Sequence, residues 1–171
     1  MKYAYFAAGC FWCVTPVFRD APGVVSCVSG YSGGSEENPH YEDVKSQKTG
    51  HRETVRVTYD ESVIGWGSLF DLFLDSVDPF DGGGQYIDRG HSYTLAVYYV
   101  REEERNYAEK ALSALEKESG KTPAVALEPF VSFYEAEEVH QDYDLKNPEA
   151  FRRELLESGR LSSEASPGEK P

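Results

Sequence analysis

Two cysteines lie three residues apart near the start of the chain, in the run Gly9-Cys10-Phe11-Trp12-Cys13. Gly9 breaks the preceding apolar stretch, so the sequence predicts a strand-to-helix junction at Cys10. The amino end of a helix favours negative charge, which would lower the pKa of the Cys10 thiol and make it a nucleophile. Cys13 follows one helical turn later, close to disulfide reach. The two thiols could therefore form a redox pair, or they could be small buried core residues.

A zinc site is another use of paired cysteines, and the ligand count argues against it. Structural zinc sites need four ligands, commonly supplied as two close pairs. Beyond the pair at Cys10, the chain offers Cys27 and scattered histidines without a His-x3–5-His spacing, namely His40, His51, His91 and His140. The sequence therefore predicts no bound metal.

The run at Cys10 resembles the signature of the A-type peptide methionine sulfoxide reductases, which reduce the S epimer of methionine sulfoxide. Further motifs follow in that family's order and spacing: Ser29-Gly30-Tyr31-Ser32-Gly33-Gly34, Asn38-Pro39-His40-Tyr41, Thr49-Gly50-His51-Arg52-Glu53, Asp78-Pro79, Gly84-Gln85, Asp88-Arg89-Gly90 with Tyr93, and His140-Gln141-Asp142-Tyr143. The matches span residues 3–151. Several motifs in order are far more specific than any one of them.

The resemblance implies a role for each matching side chain. Cys10 matches the catalytic nucleophile, and Glu53 matches the acid that binds and protonates the sulfoxide oxygen. Tyr41 and Tyr93 match the hydroxyls that share this oxygen, and Asp88 matches a carboxylate that positions substrate and water. Without the resemblance, Glu53 would be interpreted as a solvated carboxylate, the two tyrosines as core residues and Asp88 as a turn former.

The chemistry of a sulfoxide requires these residue types. Thiolate attack on the sulfur needs the oxygen to gain a proton, and a carboxyl group buried among aromatic residues has a raised pKa and can donate one. Tyrosine hydroxyls can stabilise charge that develops on the oxygen. Phe11 and Trp12 match the family's walls of the pocket for the S-methyl group, which an apolar cage selects by shape. The products are methionine and a sulfenic acid on Cys10, which a second thiol converts to a disulfide.

Three positions depart from the family's pattern. They affect how the sulfenic acid on Cys10 is reduced back to a thiol and leave the attack of Cys10 on the sulfoxide unaffected. Many members carry a resolving cysteine near the C-terminus, but no cysteine follows Cys27 here, while Thr15 and Lys45 stand where Glu and Cys are common. The resolving thiol is therefore Cys13, Cys27 or an external thiol. Cys13 is nearer to Cys10 in sequence, although its side chain could point away around the helix. Cys27 lies in an apolar strand and is interpreted as buried and inert.

The elements that must position these residues mix without a regular βαβ rhythm. Strands are predicted at 2–8, 24–29, 53–59, 93–100 and 123–127, and helices from residue 11, at 69–77, at 102–119 and after residue 147, with loops at 30–39 and from 81. This pattern favours an α+β fold. The predicted architecture is a two-layer α/β sandwich with a ferredoxin-like mixed or antiparallel sheet, flanking helices and long loops. Residues 1–157 are expected to form one catalytic domain, and the polar residues 158–171 a disordered tail.

Composition limits the partners and the compartment. The chain has 171 residues and a formal net charge of −13, which disfavours nucleic acids and anionic membranes. Three cysteines are too few for a disulfide-stapled scaffold, so we expect a reducing, cytoplasmic location. The stretch before Cys10 is too short and too aromatic for a lipoprotein signal. We expect a monomer that uses no metal and no organic cofactor and is recycled by thioredoxin or another thiol donor.

Two other functions would use the same residues. A thiol–disulfide oxidoreductase would act on protein disulfides through Cys10 and Cys13, without a need for Glu53 near the thiols. A non-enzymatic module would bind methionine sulfoxide or an apolar methyl group and leave Cys10 unoxidised. The several motifs in order favour the sulfoxide reductase over both.

Overall fold

A six-stranded mixed sheet is the central element of the computed structural model, which describes residues 1–161. In spatial order the strands are β7 (Val125–Pro129), β6 (Leu95–Tyr99), β1 (Lys2–Ala8), β3 (Arg52–Tyr59), β2 (Val24–Ser32) and β8 (Tyr134–Glu135). The β6 and β7 strands pair in parallel, and the other neighbours pair antiparallel. A separate hairpin joins β4 (Gly84–Gln85) to β5 (Asp88–Arg89).

Within the described residues, six helices accompany the sheet and confirm the predicted α+β class. They are α1 (Phe11–Arg19), α2 (Tyr41–Lys45), α3 (Trp66–Asp75), α4 (Glu102–Ser119), α5 (Tyr143–Lys146) and α6 (Pro148–Glu157), with short 3-10 turns at His91–Tyr93 and Glu138–His140. Helices α1, α3 and α4 pack on one face of the sheet around a single large apolar cluster. At its centre, the Phe6 ring lies 5.1 Å from Phe18 and 5.3 Å from Phe73, centroid to centroid.

The opposite face of the sheet is covered by the chain after β7 instead of by helices. Tyr5 and Ala7 of β1 point to this face, and the ring of Phe130 stacks on Tyr5 with centroids 4.0 Å apart. Because side chains alternate along a strand, β1 is buried on both faces. The sequence before Cys10 is therefore apolar at nearly every position, and this central strand fixes where Cys10 lies.

Several boundaries differ from the sequence predictions. The β2 strand continues to Ser32, because Gly30 and Tyr31 pair with both β3 and β8, where a loop was expected. Tyr93 lies in a 3-10 turn before β6 rather than in the strand. The predicted flexible loop from residue 81 instead contains the β4–β5 hairpin. Within residues 1–161, no helix is both long and apolar enough to cross a membrane.

The first four residues of the predicted disordered tail, 158–161, are among the described residues and are partly buried. Ser158 and Leu161 are 6% and 8% exposed, and the Leu161 N–H donates to the Leu155 carbonyl at 3.0 Å. The Leu161 side chain packs against Cys13, which supplies the apolar contact that the sequence pattern does not show. Residues 162–171 of the predicted tail lie outside the described residues.

Candidate active site

Cys10 lies at the junction between β1 and α1, as predicted, and is the residue that precedes the first helical residue. Gly9 makes the junction possible, because its φ of +87° is unfavourable for other residues and a Cβ atom there would lie 3.0 Å from Gln85 Cβ. The Cys13 thiol is a hydrogen-bond partner of Cys10, which raises the pKa of Cys10 well above its usual value, as do burial and the charges of Cys13 and Asp88.

The sequence prediction of a lowered Cys10 pKa is wrong for this arrangement, because the interaction with Cys13 and burial both raise it. The first amide of α1, the Phe11 N–H, donates to Glu53 Oε2 at 3.0 Å. Glu53 extends from β3 beneath the helix and is 2% exposed. Burial first, and then the charge of Cys10, raise the pKa of Glu53 well above its usual value. A buried carboxyl group that retains its proton therefore lies beside the thiol.

The two predicted tyrosines come to the same place from different elements. Tyr41 begins α2, and Tyr93 ends the 3-10 turn before β6 and is 8% exposed. Burial raises the pKa of each hydroxyl, and the nearby charges of Glu53 and Cys10 raise it further. Both hydroxyls therefore stay protonated near neutral pH and can donate hydrogen bonds.

An aromatic wall stands on the Trp12 side of Cys10. The Trp12 ring stacks on Tyr143 with centroids 4.0 Å apart, and the His140 ring lies 5.7 Å from Trp12 and 4.1 Å from Tyr41. Phe11 is 1% exposed and lies behind this wall, 6.3 Å from the Tyr41 ring. Burial lowers the pKa of His140, so the wall is uncharged near neutral pH. Such a surface suits a small apolar group.

Asp88, the fifth predicted catalytic residue, is on the β5 strand of the hairpin and is 25% exposed at its side chain. Its Oδ2 lies 3.0 Å from Nη1 of Arg160. The charge of Asp88 raises the pKa of Cys10 and of Glu53, so Asp88 is near enough to act on both groups.

The three cysteines differ in their surroundings. Cys13 lies in α1 one turn after Cys10, is 8% exposed, and its side chain is near enough to Cys10 to be the largest influence on the pKa of that thiol. Cys27 lies in β2, where burial raises its pKa to about 12 and the nearby charges are those of Arg19, Asp142 and Asp20. Cys13 is therefore the cysteine that interacts with Cys10, whereas Cys27 interacts with Arg19, Asp142 and Asp20.

Several motif residues support the site from a distance. The His51 ring is fully buried, accepts the Gly34 N–H at 3.2 Å on Nδ1 and bonds the Glu36 carbonyl at 2.8 Å through Nε2. Gln85 is bonded to both backbone groups of Asp78 at 2.9 Å. These contacts fix the loops that carry Tyr41 and Asp88.

Within residues 1–161, no group of three or more His, Cys, Asp or Glu side chains is placed to hold a metal ion.

Comparison with known proteins decides the family. A family model described as peptide methionine sulfoxide reductase matches residues 2–166. The chain belongs to this family. The peptide methionine sulfoxide reductase MsrA of Halalkalibacterium halodurans is 45% identical over 163 residues, which are 94% of this chain and 92% of that protein. The MsrA of Bacillus subtilis is 44% identical over 165 residues, covering 93% of this chain and 91% of that protein.

Solved structures agree with this membership. Mxr1 from Saccharomyces cerevisiae in its reduced form is 29% identical, with a TM-score of 0.81 and coverage of 86% of each chain. The structure of Mxr1 in complex with Trx2 is 22% identical to this chain, with a TM-score of 0.54. This similarity supports the fold and nothing further.

Two residues of this sulfoxide reductase site were missed as site residues from the sequence. Tyr143 is part of the last family motif, but its stacking on Trp12 depends on the packing of α5 against α1, which the sequence does not show. Arg160 was placed in the predicted tail, and no motif marks it. Its only sequence signal is an isolated cation close after an amphipathic helix.

Proposed function

We propose that the protein is a thiol-dependent reductase of methionine S-sulfoxide, free and in proteins, with Cys10 as nucleophile and Glu53 as acid. The observation that carries the proposal is the buried, protonated Glu53 carboxyl group beside the Cys10 thiol. A general acid must hold its proton at working pH, and burial gives Glu53 that property. Residues 1–157 supply this chemistry as one catalytic domain, to which residues 158–161 contribute contacts.

In the reductive step, the Cys10 sulfur attacks the sulfur of the sulfoxide, and the oxygen takes a proton from Glu53. The bond between this oxygen and the substrate sulfur breaks as the oxygen bonds to the Cys10 sulfur, and the transient bond between the two sulfurs breaks as well. Cys10 is thereby oxidised to a sulfenic acid, the sulfoxide is reduced to methionine, and the thiol proton of Cys10 replaces the one that Glu53 gave. Tyr41 and Tyr93 donate hydrogen bonds to the oxygen while it gains charge. Asp88 positions the substrate and water at the open side of the site.

The substrate methyl group lies against the aromatic wall. Phe11 and Trp12 form it from α1, and Tyr143 holds the Trp12 ring in place by stacking. With the oxygen directed to Glu53 and the methyl group to Trp12, the third substituent of a chiral sulfoxide has only one remaining direction. This three-point arrangement selects one epimer, which we assign as S.

Cys13 is the resolving thiol in this proposal. Its side chain is the largest influence on the pKa of Cys10, and its backbone N–H donates to the Cys10 carbonyl at 3.1 Å, so the two residues are close before any oxidation. Attack of Cys13 on the sulfenic acid forms the Cys10–Cys13 disulfide and releases water, and a dithiol reductant then restores both thiols with its own oxidation to a disulfide. We assign thioredoxin or another thiol donor as reductant, with no metal or organic cofactor, in a cytoplasmic monomer.

Turnover of separated sulfoxide epimers tests the activity. With dithiothreitol as reductant, the wild type should reduce the S epimer of N-acetylmethionine sulfoxide and leave the R epimer. Cys10→Ser should be inactive, and Cys27→Ser, which changes a cysteine away from the site, should match the wild type. Reduction of the R epimer, or activity in Cys10→Ser, would refute the proposal.

The close pair of thiols also suits a thiol–disulfide oxidoreductase, which is the second candidate function. Insulin reduction separates the two, because a disulfide exchanger does not need the Glu53 proton. Insulin reduction that persists in Glu53→Gln, without sulfoxide turnover by the wild type, would favour the second function.

A further inference from the structure

Arg160 is a buried cation at the edge of the active site to which the proposed chemistry assigns no role. Its side chain is 8% exposed. It follows Gly159, whose φ of +80° reverses the chain after α6. The next residue, Leu161, returns to α6 through its hydrogen bond to Leu155 and packs against Cys13. The segment 158–161 therefore carries a guanidinium into the site.

Two contacts of this guanidinium fall on the β4–β5 hairpin. Arg160 Nη1 lies 3.0 Å from Asp88 Oδ2, and the guanidinium carbon lies 4.6 Å from the centroid of the Tyr86 ring. Tyr86 has a φ of +52° and forms the exposed tip of the hairpin with Ile87. The ion pair and the ring contact together fasten this exposed hairpin to the folded end of α6.

The guanidinium also lies beside both thiols. A Cβ atom on Gly9 would be 3.8 Å from Arg160 Nη2, and Arg160 and Cys13 line the same cavity of about 290 Å³. The charge of Arg160 lowers the pKa of Cys10, whereas Asp88 raises it. The ionisable groups that act on Cys10 or are acted on by it are Cys13, Tyr41, Glu53, Asp88, Tyr93 and Arg160.

We propose that Arg160 is a positioning residue of the active site, which holds Asp88 and the β4–β5 hairpin over Cys10 and supplies the positive charge beside the two thiols. This inference deepens the proposed function and rests on it. Asp88 bears a carboxyl group, so ionisation of Cys10 near it adds further negative charge. Arg160 offsets part of the charge of Asp88 through their ion pair, and Asp88 then disfavours the thiolate less than it would alone.

The pH dependence of Cys10 alkylation by iodoacetamide tests the proposal without any sulfoxide. A Cys13→Ser/Cys27→Ser background leaves Cys10 as the sole cysteine. There, Arg160→Gln should move the midpoint of the alkylation profile upward by about one pH unit, because an opposite charge is lost. Asp88→Asn should move it downward, and Arg160→Lys should remain near the background protein. Arg153→Gln, which changes an exposed cation on α6, should change nothing.

Sulfoxide reduction in the chain with its three cysteines gives a second readout. If Arg160 acts on the thiol charge, the loss of kcat/KM in Arg160→Gln should be largest below the alkylation midpoint of Cys10, shrink as the pH passes through that midpoint and be restored by Arg160→Lys. An equal loss on both sides of the midpoint, which a purely structural role would give, overturns the inference.

An unchanged alkylation midpoint in folded Arg160→Gln also overturns the inference. If circular dichroism shows that Arg160→Gln is unfolded, Asp88→Asn provides the test instead. An unchanged or raised alkylation midpoint in Asp88→Asn contradicts the ion-pair role. A wild type that fails to reduce sulfoxides contradicts the proposed function alone, because the alkylation profile does not depend on that activity.

Discussion

The backbone N–H of Phe11 donates a hydrogen bond to Glu53 Oε2 at 3.0 Å, so the amino end of helix α1 holds a carboxyl group instead of the cysteine sulfur that precedes it. The bond keeps Glu53 beside Cys10 from a different strand of the sheet. It also lowers the pKa of Glu53 somewhat, but burial and the charge of Cys10 act in the opposite direction and prevail. The proton that the reaction requires is therefore stored in the resting site.

Glu53→Gln should slow the first turnover by about 10²-fold, because the amide cannot donate a proton as an acid does. Rapid-quench measurement of methionine formed in one turnover checks this step apart from recycling. The control is Glu135→Gln, which changes a carboxylate that is 61% exposed on β8 and should leave the rate unchanged. An unchanged single-turnover rate in Glu53→Gln would exclude the acid role.

The same substitution should have a pH-dependent effect on stability. A carboxyl group with a raised pKa in the folded state favours folding at low pH, and this contribution is lost as pH rises above the unfolded value toward the folded one. Glu53→Gln, which stays neutral, should therefore gain stability relative to the wild type as pH rises above about 4.3, by up to about 1.4 kcal/mol per pH unit. Urea unfolding at pH 4 and pH 7 measures the difference, and a gain that is equal at both values would contradict the raised pKa.

Cys13→Ser should stop recycling but not the first turnover. After one equivalent of sulfoxide, the intact mass of the wild type should fall by two hydrogens, which indicates a disulfide that peptide mapping places at Cys10–Cys13. Cys13→Ser should instead gain one oxygen and react with dimedone at Cys10. Cys27→Ser should behave like the wild type, and a disulfide that includes Cys27 would show that the resolving thiol is misassigned.

Trp12→Ala should weaken both binding and discrimination at the methyl pocket. Loss of the ring that stacks on Tyr143 removes one wall, so kcat/KM for methionine sulfoxide should fall by about tenfold or more. The preference for methionine sulfoxide over ethionine sulfoxide, which has one more methylene, should fall as well. Tyr143→Phe keeps the stacked ring and is the matched control. An unchanged preference in Trp12→Ala would place the methyl group elsewhere.

Gly9→Ala should destabilise the fold through the backbone. The φ of +87° at Gly9 would cost an alanine about 1–2 kcal/mol, and the added Cβ would contact Gln85 at 3.0 Å. Gly82→Ala is the control, because its Cβ would make an ordinary contact of 3.5 Å with Ala124. Urea unfolding of both variants measures the difference, and equal stabilities would show that the junction tolerates a side chain.

Sequence periodicity and motifs were informative where structure is local. Helix α4 occupies Glu102–Ser119 as predicted, since its apolar face repeats at helical spacing and Gly120, with a φ of 73°, ends it. The β1 strand was likewise predicted at its observed bounds. The ordered motifs supplied Glu53, Tyr41 and Asp88, although these residues come together from separate elements.

Features that depend on long-range contacts could not be predicted. The strands of the β4–β5 hairpin have two residues each, too few to show a period. The raised pKa of Cys10 depends on Cys13, on burial and on the charge of Asp88, which comes from the separate β4–β5 hairpin. The packing of Leu161 on Cys13 joins residues from opposite ends of the sequence, and its local composition resembles a tail.

The buried cluster that joins Leu161 to Cys13 has a consequence for truncation. All six strands of the central sheet lie before residue 136, whereas part of the apolar cover of Cys13 comes from Leu161. A chain cut after Glu157 would therefore keep every strand and lose part of the cover of a reactive thiol.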